Sequence, residues 1–405
     1  MNISLSLILS VVLRFAVCSD SHVQAPDDIY CQRLQKVLEM SYAAASADAT
    51  HPSVDLFLEV GDLTNHGKKD EFEAYRKAIQ GAIRPETQFL AVIPKGHDGI
   101  PGKDVLRYFS ELMMGGGSMD FHRKIGGYHF IGISTSVEEG VYYSPYQREW
   151  LVKQLDEAVA DDPGKPVFVC HHEHPKFTVY GSSQVDGWGH SYFIDIFSRY
   201  PQIVHFSGHS HYPINDPRSV CQKDYTAIGT GSLAYMEFTV GAERKIHPDG
   251  YGDEAQFWLV EVNDDESIML RGYDVVEGAL LCQYQIWADI SRFEYSPEQQ
   301  AARSKAPVFD RRSSMSFNSD TLSFSPAMSG DGMPVFLYRV NVRDDAGKTV
   351  YDGWRLPKYY SATPESVITV PVGGLGEGRF TVSVTAETAY GVRSMPLVRR
   401  IRNRK

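Results

Sequence analysis

The amino-acid sequence predicts an α/β fold followed by a small all-β sandwich domain. Up to residue 295, short apolar runs alternate with segments of helical periodicity, which is typical of repeating βαβ units. Most of these apolar runs end in Asp or His, and open α/β sheets bind ligands at the carboxyl ends of their strands. Beyond residue 305, strands recur at regular spacing between Gly, Pro and Asp turns, a pattern that favours a β-sandwich.

Length and composition indicate two globular domains. A chain of 405 residues is longer than a domain with one hydrophobic core usually is. The hydrophobic content of 42% is that of a soluble globular protein. We predict domains at 1–295 and 306–405, joined by a linker at 296–305. The net charge of −11 argues against general nucleic-acid binding, and the basic tail at 398–405 is expected to be a solvated chain end.

The cysteines exclude two common kinds of site. There are five of them, widely scattered and without a CxxC pair, which fits neither a disulfide framework nor a structural zinc site. Metal ligands, if present, must therefore come from His and Asp.

The apolar run at 3–13 raises the question of a secretion signal. It lacks a basic segment before it and an A-x-A-like cleavage site after it, and it is too short to span a bilayer. We therefore favour a strand over a signal and expect no transmembrane segment. A cytoplasmic location is slightly favoured, with a secreted or cell-envelope location as the alternative.

The first elements place acidic and imidazole side chains just beyond strands. A strand at 13–18 precedes Asp20 and His22, and a helix is predicted at 27–47 from its apolar spacing. The next strand, from residue 56, stops abruptly at Gly61 and leaves Asp62 at its exit. A second amphipathic helix follows.

The remaining strands repeat this arrangement. The strand at 88–94 leads into His97 and Asp98, and a fourth follows at 128–134. A helix begins at Ser144, with Ser as N-cap and Pro at the first helical position. Strands at 166–170 and 203–206 precede further histidines, and an antiparallel pair between 253 and 273 is expected to close a second sheet.

The polar residues at the strand exits are all oxygen or imidazole donors: Asp20, His22, Asp62, His97, His172, His209 and His211. Two adjacent divalent ions need about this many donors, with a carboxylate bridging them because the two cations repel each other. Imidazole and carboxylate together suit zinc, manganese or iron. The sequence therefore predicts a dinuclear metal centre.

The same residues carry a resemblance to the calcineurin-like metallophosphoesterases, over about residues 12–275. The matching pieces, in the family's order, are Asp20-Ser-His22, Gly61-Asp62 through Gly67, Gly96-His97-Asp98, His172 after a strand, and Gly208-His209-Ser-His211. The resemblance implies a two-sheet αββα sandwich with its site at the strand exits. It also implies metal-dependent hydrolysis of a phosphate ester by a hydroxide that bridges two ions.

Carried over by position, the resemblance assigns roles to individual residues. Asp20, His22 and His211 would hold the first ion and Asp62 would bridge. His172 and His209 would hold the second ion, although the neighbouring His171 and His174 compete with His172. His97, oriented by Asp98, would assist the leaving group.

The sequence departs from the family at Gly96, where members carry an Asn that binds the second ion. We therefore expect the second metal site to be weak. The departure also supports an alternative function, a metal-binding scaffold or surface binding protein with little turnover. These residues fit phosphomonoester and phosphodiester substrates equally, so the sequence leaves both open.

Other residues receive weaker predictions. His171, His174, Tyr180 and Trp188 are expected to line the site of a phosphorylated small molecule or other phosphoester, although the two aromatics could equally be packing residues. Isolated histidines are expected to be structural, namely His51, His122, His129, His190 and His205. The terminal domain resembles a fibronectin type III or related sandwich, for which a docking or spacer role is expected.

Overall fold

The computed structural model describes residues 9–94, 103–136, 138, 141–183, 188–318 and 320–403. The chain divides into two compact units. The first comprises the residues up to Asn215 and Ser219–Ser296, and the second comprises Asp216–Arg218 and the residues from Pro297 onward.

The first unit contains most of the secondary structure. Its elements in chain order are β1 (Val11–Cys18), α1 (Ile29–Ser46), β2 (Leu56–Glu59), α2 (Lys69–Ala82), β3 (Gln88–Ala91), α3 (Lys103–Tyr108), β4 (Phe121–Ile125), β5 (Tyr128–Gly132), α4 (Pro145–Asp161), β6 (Val167–Cys170), β7 (His174–Pro175), β8 (Gly189–His190), α5 (Ile194–Phe197), β9 (Ile203–Ser207), β10 (Val220–Gln222), β11 (Thr226–Gly229), β12 (Phe238–Val240), β13 (Glu243–Ile246), β14 (Gln256–Asn263), β15 (Ile268–Asp274) and β16 (Ala279–Ile286). A π-helical turn, Phe109–Met113, extends α3.

The first sheet has the order β16-β15-β14-β1-β2-β3. Strands β1, β2 and β3 are parallel, so their carboxyl ends lie at one edge of the sheet. β14 pairs antiparallel with β1, and β15 pairs with β14. The expectation that this antiparallel pair would close a second sheet is wrong, because β14 hydrogen-bonds directly along β1 and extends the first one.

The second sheet has the order β10-β11-β9-β6-β5-β4. Its four inner strands are parallel, and β10 and β4 are antiparallel strands at its two edges. The carboxyl ends of β6 and β9 therefore lie side by side, which places the histidines that follow them at one edge.

The side chains of β1 point alternately into two different hydrophobic cores, one on each face of the first sheet. Phe15 and Val17 point into a core shared with Phe168 and Phe206 of the second sheet, so this core lies between the sheets. Ala16 and Cys18 point the other way, into the core formed with α1 and α2. Helices α4 and α5 cover the outer face of the second sheet. The result is an αββα sandwich, as predicted.

The helix starts follow the sequence signals. The Asp28 side chain caps α1 by accepting from the Cys31 amide. At α4, Ser144 and Gln147 form a reciprocal capping box, with Pro145 at the first position. The helix predicted at 144 is confirmed at that residue.

The second unit is a sandwich of two antiparallel sheets. Its elements are α6 (Pro297–Arg303), β17 (Met315–Asn318), β18 (Thr321–Phe324), β19 (Leu337–Asp344), β20 (Thr349–Arg355), β21 (Ile368–Pro371), β22 (Gly378–Glu387) and β23 (Leu397–Asn403). The sheets have the orders β17-β18-β21 and β20-β19-β22-β23, and one apolar core lies between them. The more specific likeness to fibronectin type III stays a prediction.

Two expectations about this part of the chain need correction. The basic tail is an edge strand over most of its length, because β23 pairs with β22 from Val384 to Gly378 while its arginines stay exposed. Part of the predicted linker is the helix α6, which starts at a proline and contains good helix formers. Among the described residues, no helix has the length and apolar character needed to cross a membrane.

The core between the sheets generates a stability prediction. Phe15 is fully buried and meets Phe130, Phe168 and Phe206 edge-to-face, with ring centroids 5.2, 4.9 and 5.9 Å away. Phe15→Ala is expected to lower the free energy of unfolding by about 3–5 kcal/mol in urea denaturation. Val12→Ala, on the same strand and 37% exposed, is the control and should cost under about 1 kcal/mol. Equal losses in the two variants would contradict this account of the core.

Candidate metal centre

The loops after β1 and β2 run together at the sheet edge. The Asp20 amide donates to the Gly61 carbonyl at 2.9 Å, and the His22 amide donates to the Asp62 carbonyl at 3.1 Å. These bonds continue the pairing of the two parallel strands beyond their ends. The segment from Asp20 to His22 is therefore held beside Asp62 by the backbone itself.

The loops after β6 and β9 are joined in the same way in the second sheet. The Gly208 amide donates to the His172 carbonyl at 2.9 Å. The two sheets meet at this edge, since the His209 amide also lies 3.1 Å from Asp20 Oδ2 of the first sheet. Histidines of one sheet are thus brought to carboxylates of the other.

Asp20, His22 and His211 form one three-donor group, which we call the first donor group. His211 Nε2 lies 3.1 Å from Asp20 Oδ1 and 3.3 Å from His22 Nε2. All three side chains are buried. Donor atoms around a single ion, at bond lengths of about 2.0–2.2 Å, have about this mutual spacing.

Asp62, His172 and His209 form the second donor group. His172 Nε2 lies 3.3 Å from Asp62 Oδ2, and the His209 ring lies 5.0 Å from the His172 ring. Asp62 and His172 are buried, and His209 is half-buried. The groups adjoin each other, because His172 Nε2 is only 3.7 Å from Asp20 Oδ1.

Two buried atoms of the second donor group support a bound cation. Asp62 Oδ1 and His172 Nε2 are both buried and have no hydrogen-bond partner among the residues that the structure describes. A buried polar atom left without a partner costs roughly 1–3 kcal/mol, so such atoms call for an explanation. Coordination of a metal ion would satisfy both atoms, and the donor set of imidazole and carboxylate fits zinc, manganese or iron.

Hydrogen bonds behind the rings aim the imidazoles at the centre. His172 Nδ1 lies 2.7 Å from the Val60 carbonyl, and His211 Nδ1 lies 3.2 Å from the Tyr235 carbonyl. A carbonyl can only accept, so Nδ1 carries a proton in each ring, and Nε2 is the nitrogen that faces the donor group. This is the usual support of a metal-binding histidine.

Five of the six donors have left-handed backbone. The φ angles are 54° at Asp20, 49° at His22, 53° at Asp62, 73° at His209 and 57° at His211. Such φ values are uncommon outside glycine and carry a conformational cost of roughly 1 kcal/mol or more each. The surrounding fold maintains them, and residues in such strained conformations cluster at functional sites.

Two glycines make room for the donors. A Cβ on Gly61, whose φ is +91°, would lie 2.6 Å from His172 Nδ1. A Cβ on Gly208 would overlap Asp20 Oδ2 and the Ser19 hydroxyl. Both positions therefore require glycine for the donors to approach as closely as they do.

Charges within the two donor groups compensate each other. Burial alone would raise the pKa of Asp20, but His211 and His172 outweigh burial and hold that pKa well below its usual range. The pKa of Asp62 is lowered likewise, with His172 and His22 opposing burial. Burial lowers the pKa of His209 to about 3, which keeps that ring in the neutral form that binds metals.

A known protein family matches the part of the chain that carries the donor groups. The family model of calcineurin-like phosphoesterase matches residues 13–213, the part of the chain that contains all six donors. This part of the chain is a calcineurin-like phosphoesterase domain. The resemblance stated from the sequence motifs is therefore confirmed.

Comparisons of whole chains are much weaker. A purple acid phosphatase from seeds of yellow lupin (Lupinus luteus) has 12% identity and a TM-score of 0.45, covering 68% of this chain and 53% of the lupin chain. This chain thus spans about half the length of that phosphatase. Fibronectin domains of chicken CNTN1 match with 14% identity, a TM-score of 0.19 and coverage of 38% and 42% of the two chains. Domains of titin match with 15% identity, a TM-score of 0.17 and coverage of 36% and 41%. No curated protein sequence matches the chain.

The structure assigns structural contacts to two of the predicted substrate residues. His171 Nδ1 lies 2.6 Å from His205 Nε2, and His174 lies within hydrogen-bond distance of the Ser207 and Ser210 hydroxyls. Each histidine is 1% exposed. A substrate role for His171 and His174 stays a prediction, and their described contacts are those of packed side chains.

The predicted aromatic residues differ from one another. Tyr180 is buried, and its hydroxyl donates to the Thr239 carbonyl. Trp188 is half-buried and meets the His209 ring edge-on at 4.7 Å, next to the second donor group. Gly96, His97 and Asp98 lie outside the described residues, so their roles stay predictions.

Glu59 is a supporting residue that the sequence analysis missed. This fully buried carboxyl, at the end of β2, lies 2.8 Å from Cys18 Sγ and accepts from the Ser21 hydroxyl between Asp20 and His22. Burial raises its pKa to about 7. The sequence signal for Glu59 was an acidic residue in an otherwise apolar strand. Through its contacts with Cys18 and Ser21, Glu59 connects the carboxyl ends of β1 and β2 in the phosphoesterase domain.

The close packing at Gly208 generates a prediction. Gly208→Ala is expected to weaken divalent-metal binding by roughly tenfold or more, because the added methyl displaces the Asp20 carboxylate. Titration calorimetry with Mn²⁺ measures the affinity, and thermal unfolding checks that the variant folds. Gly252→Ala is the control, since a Cβ there meets nothing within 4 Å. Unchanged affinity in a folded Gly208→Ala variant would contradict this packing argument.

Proposed function

We propose that the phosphoesterase domain hydrolyses a phosphate ester at a centre of two divalent metal ions held by the two donor groups. The observation that carries this proposal is the convergence of these groups, with Asp20 Oδ1 3.1 Å from His211 Nε2 in one and 3.7 Å from His172 Nε2 in the other. In the proposal, Asp20, His22 and His211 hold the first ion, and His172 and His209 hold the second.

Asp62 is the proposed bridge between the ions. One of its oxygens lies 3.3 Å from His172 Nε2, and the other has no hydrogen-bond partner among the described residues. His22 of the first donor group also contributes to lowering the Asp62 pKa, so this carboxylate interacts electrostatically with residues of both groups. A carboxylate placed in this way supports a bridging role because it can offer one oxygen to each site.

The donor set suits chemistry on phosphorus. Bound divalent ions of this kind supply Lewis-acid stabilisation of phosphoryl oxygens and a more acidic water. The chain's own part is orientation: carbonyls fix the tautomers of His172 and His211, and the buried surroundings strengthen every electrostatic interaction at the site. His97, oriented by Asp98, is proposed to supply a proton to the departing oxygen.

The second metal site is proposed to bind its ion more weakly than the first. Without the Asn that the family places at position 96, the second ion has one protein ligand fewer, which favours weaker binding there. Zinc, manganese and iron all suit the donors. The terminal unit is proposed to be a docking or spacer domain, with the division from the phosphoesterase domain near residues 296–305.

Substitution of Asp62 tests the proposal. Wild-type protein with Mn²⁺ is expected to release p-nitrophenolate from p-nitrophenyl phosphate or its bis ester, and Asp62→Asn is expected to lower kcat/KM by roughly 100-fold or more, because the bridging charge is lost. Asp195→Asn is the control, since this carboxylate is 66% exposed and pairs with Arg148 at the surface. His97→Ala should lower kcat while leaving metal binding intact.

Two outcomes would contradict the proposed hydrolysis. An unchanged kcat/KM in Asp62→Asn would show that the proposed metal centre takes no part in the reaction. A folded wild-type protein that binds Mn²⁺ or Zn²⁺ but hydrolyses neither ester would favour the metal-binding scaffold instead.

A further inference from the structure

Three aromatic rings lie beside the second donor group, and we call them the first aromatic row: Tyr142, His190 and Tyr192. His190 is stacked on Tyr192 with centroids 4.9 Å apart and an interplanar angle of 5°. Tyr142 is stacked on Tyr192 at 5.5 Å and 21°. The row reaches the centre through His190, whose ring lies 6.4 Å from the metal-donor His209.

A second aromatic row lies beside the first donor group and consists of Tyr235, His247 and Tyr251. The Tyr235 ring lies 4.0 Å from the donor His211. His247 is stacked on Tyr251 at 4.5 Å and 23°, and both meet Tyr235 nearly edge-on, at 5.6 and 5.7 Å. Each donor group therefore has an aromatic row of its own.

Both rows end at the protein surface. Tyr142 is 39% exposed and Tyr251 is 38% exposed, whereas the donors His211 and His172 are 4% and 1% exposed. Each row thus runs from a candidate metal ligand, half-buried His209 in the first row and buried His211 in the second, to an accessible ring. Ordered, partly exposed aromatic rings are the surfaces on which other planar rings stack.

A cation lies near the second donor group. Lys245, an exposed residue of β13, has its Nζ 5.0 Å from the Trp188 ring centroid, and that ring contacts His209. The ammonium group therefore belongs to the neighbourhood of the centre, where it favours an anionic ligand. The combination of metal donors, a cation and two aromatic rows fits a phosphate with a ring on either side.

We propose that the centre acts on phosphodiesters whose two organic groups both carry a planar ring, with one ring stacked on each aromatic row. This inference rests on the proposed function and narrows its substrate class. Water supplies the oxygen of the new P–O bond, one ester P–O bond breaks, and the departing oxygen takes up a proton. The products are a phosphomonoester and an alcohol or phenol.

The test keeps the leaving group constant and varies the other group. The substrates are p-nitrophenyl phosphate and three p-nitrophenyl diesters whose second group is methyl, phenyl or 5′-thymidyl. Wild-type kcat/KM is expected to be roughly tenfold higher for the phenyl or thymidyl diester than for the methyl diester, and lowest for the monoester. The phenyl and thymidyl substrates distinguish a simple aryl group from a nucleoside as the preferred ring.

Variants of the exposed row ends separate stacking from intrinsic reactivity. Tyr142→Ala and Tyr251→Ala are each expected to lower the phenyl-to-methyl ratio of kcat/KM severalfold, because the second ring of the phenyl diester loses its stacking surface. Tyr142→Phe keeps the ring and should retain the wild-type ratio. Tyr146→Ala is the matched control, because Tyr146 is 72% exposed and belongs to neither row.

Two results would overturn this inference while leaving the proposed hydrolysis intact. One is a phenyl-to-methyl ratio that Tyr142→Ala and Tyr251→Ala do not change although the esters are hydrolysed. The other is a monoester that is hydrolysed faster than every diester. No p-nitrophenolate from any of the four esters would instead overturn the proposed function, and the inference with it.

Discussion

The backbone pairing that continues past β1 and β2 is the interaction on which the candidate site depends. Two hydrogen bonds, Asp20 to Gly61 and His22 to Asp62, hold three of the six donors in place before any side chain is considered. They also hold these donors in left-handed conformations that the residues would not adopt freely. The surrounding fold maintains this geometry, because the ends of β1 and β2 that precede the donors are buried on both faces and remain paired beyond their last residues.

The core between the sheets has a second effect on the site. Ligands come from both sheets, so the distance between Asp20 and His211 depends on how closely the sheets pack. Phe15 and its three aromatic neighbours set that spacing on β1, only a few residues from the donors. The fully buried Trp258 adds a direct tie, since its indole N–H donates to the Gly229 carbonyl across the sheets at 2.8 Å. The strand β1 therefore both packs the core between the sheets and positions metal-donor residues at its end.

Local patterns in the sequence predict much of the fold and of the candidate site. Apolar runs followed by Asp or His predicted β1 and β2 together with the polar loops behind them, and the Ser-Pro pair predicted where α4 begins. Local patterns do not show pairing between distant strands, so β14 was expected in the other sheet. β23 was expected to be a solvated tail because arginines dominate its sequence, although it pairs with the preceding strand β22. Glu59 was missed because its partners Cys18 and Ser21 lie about 40 positions away. The aromatic rows were missed for the same reason: Tyr142 and Tyr192 meet only in the folded chain.

The most direct test of the account is the number and place of divalent ions bound per chain, measured by anomalous diffraction from crystals soaked in Mn²⁺ or Zn²⁺. The account predicts two ions, one among Asp20, His22 and His211 and a more weakly occupied one among Asp62, His172 and His209. The second should disappear in His172→Ala while the first remains. Crystals that show no ion at either donor group, or that keep both ions after His172→Ala, would contradict it.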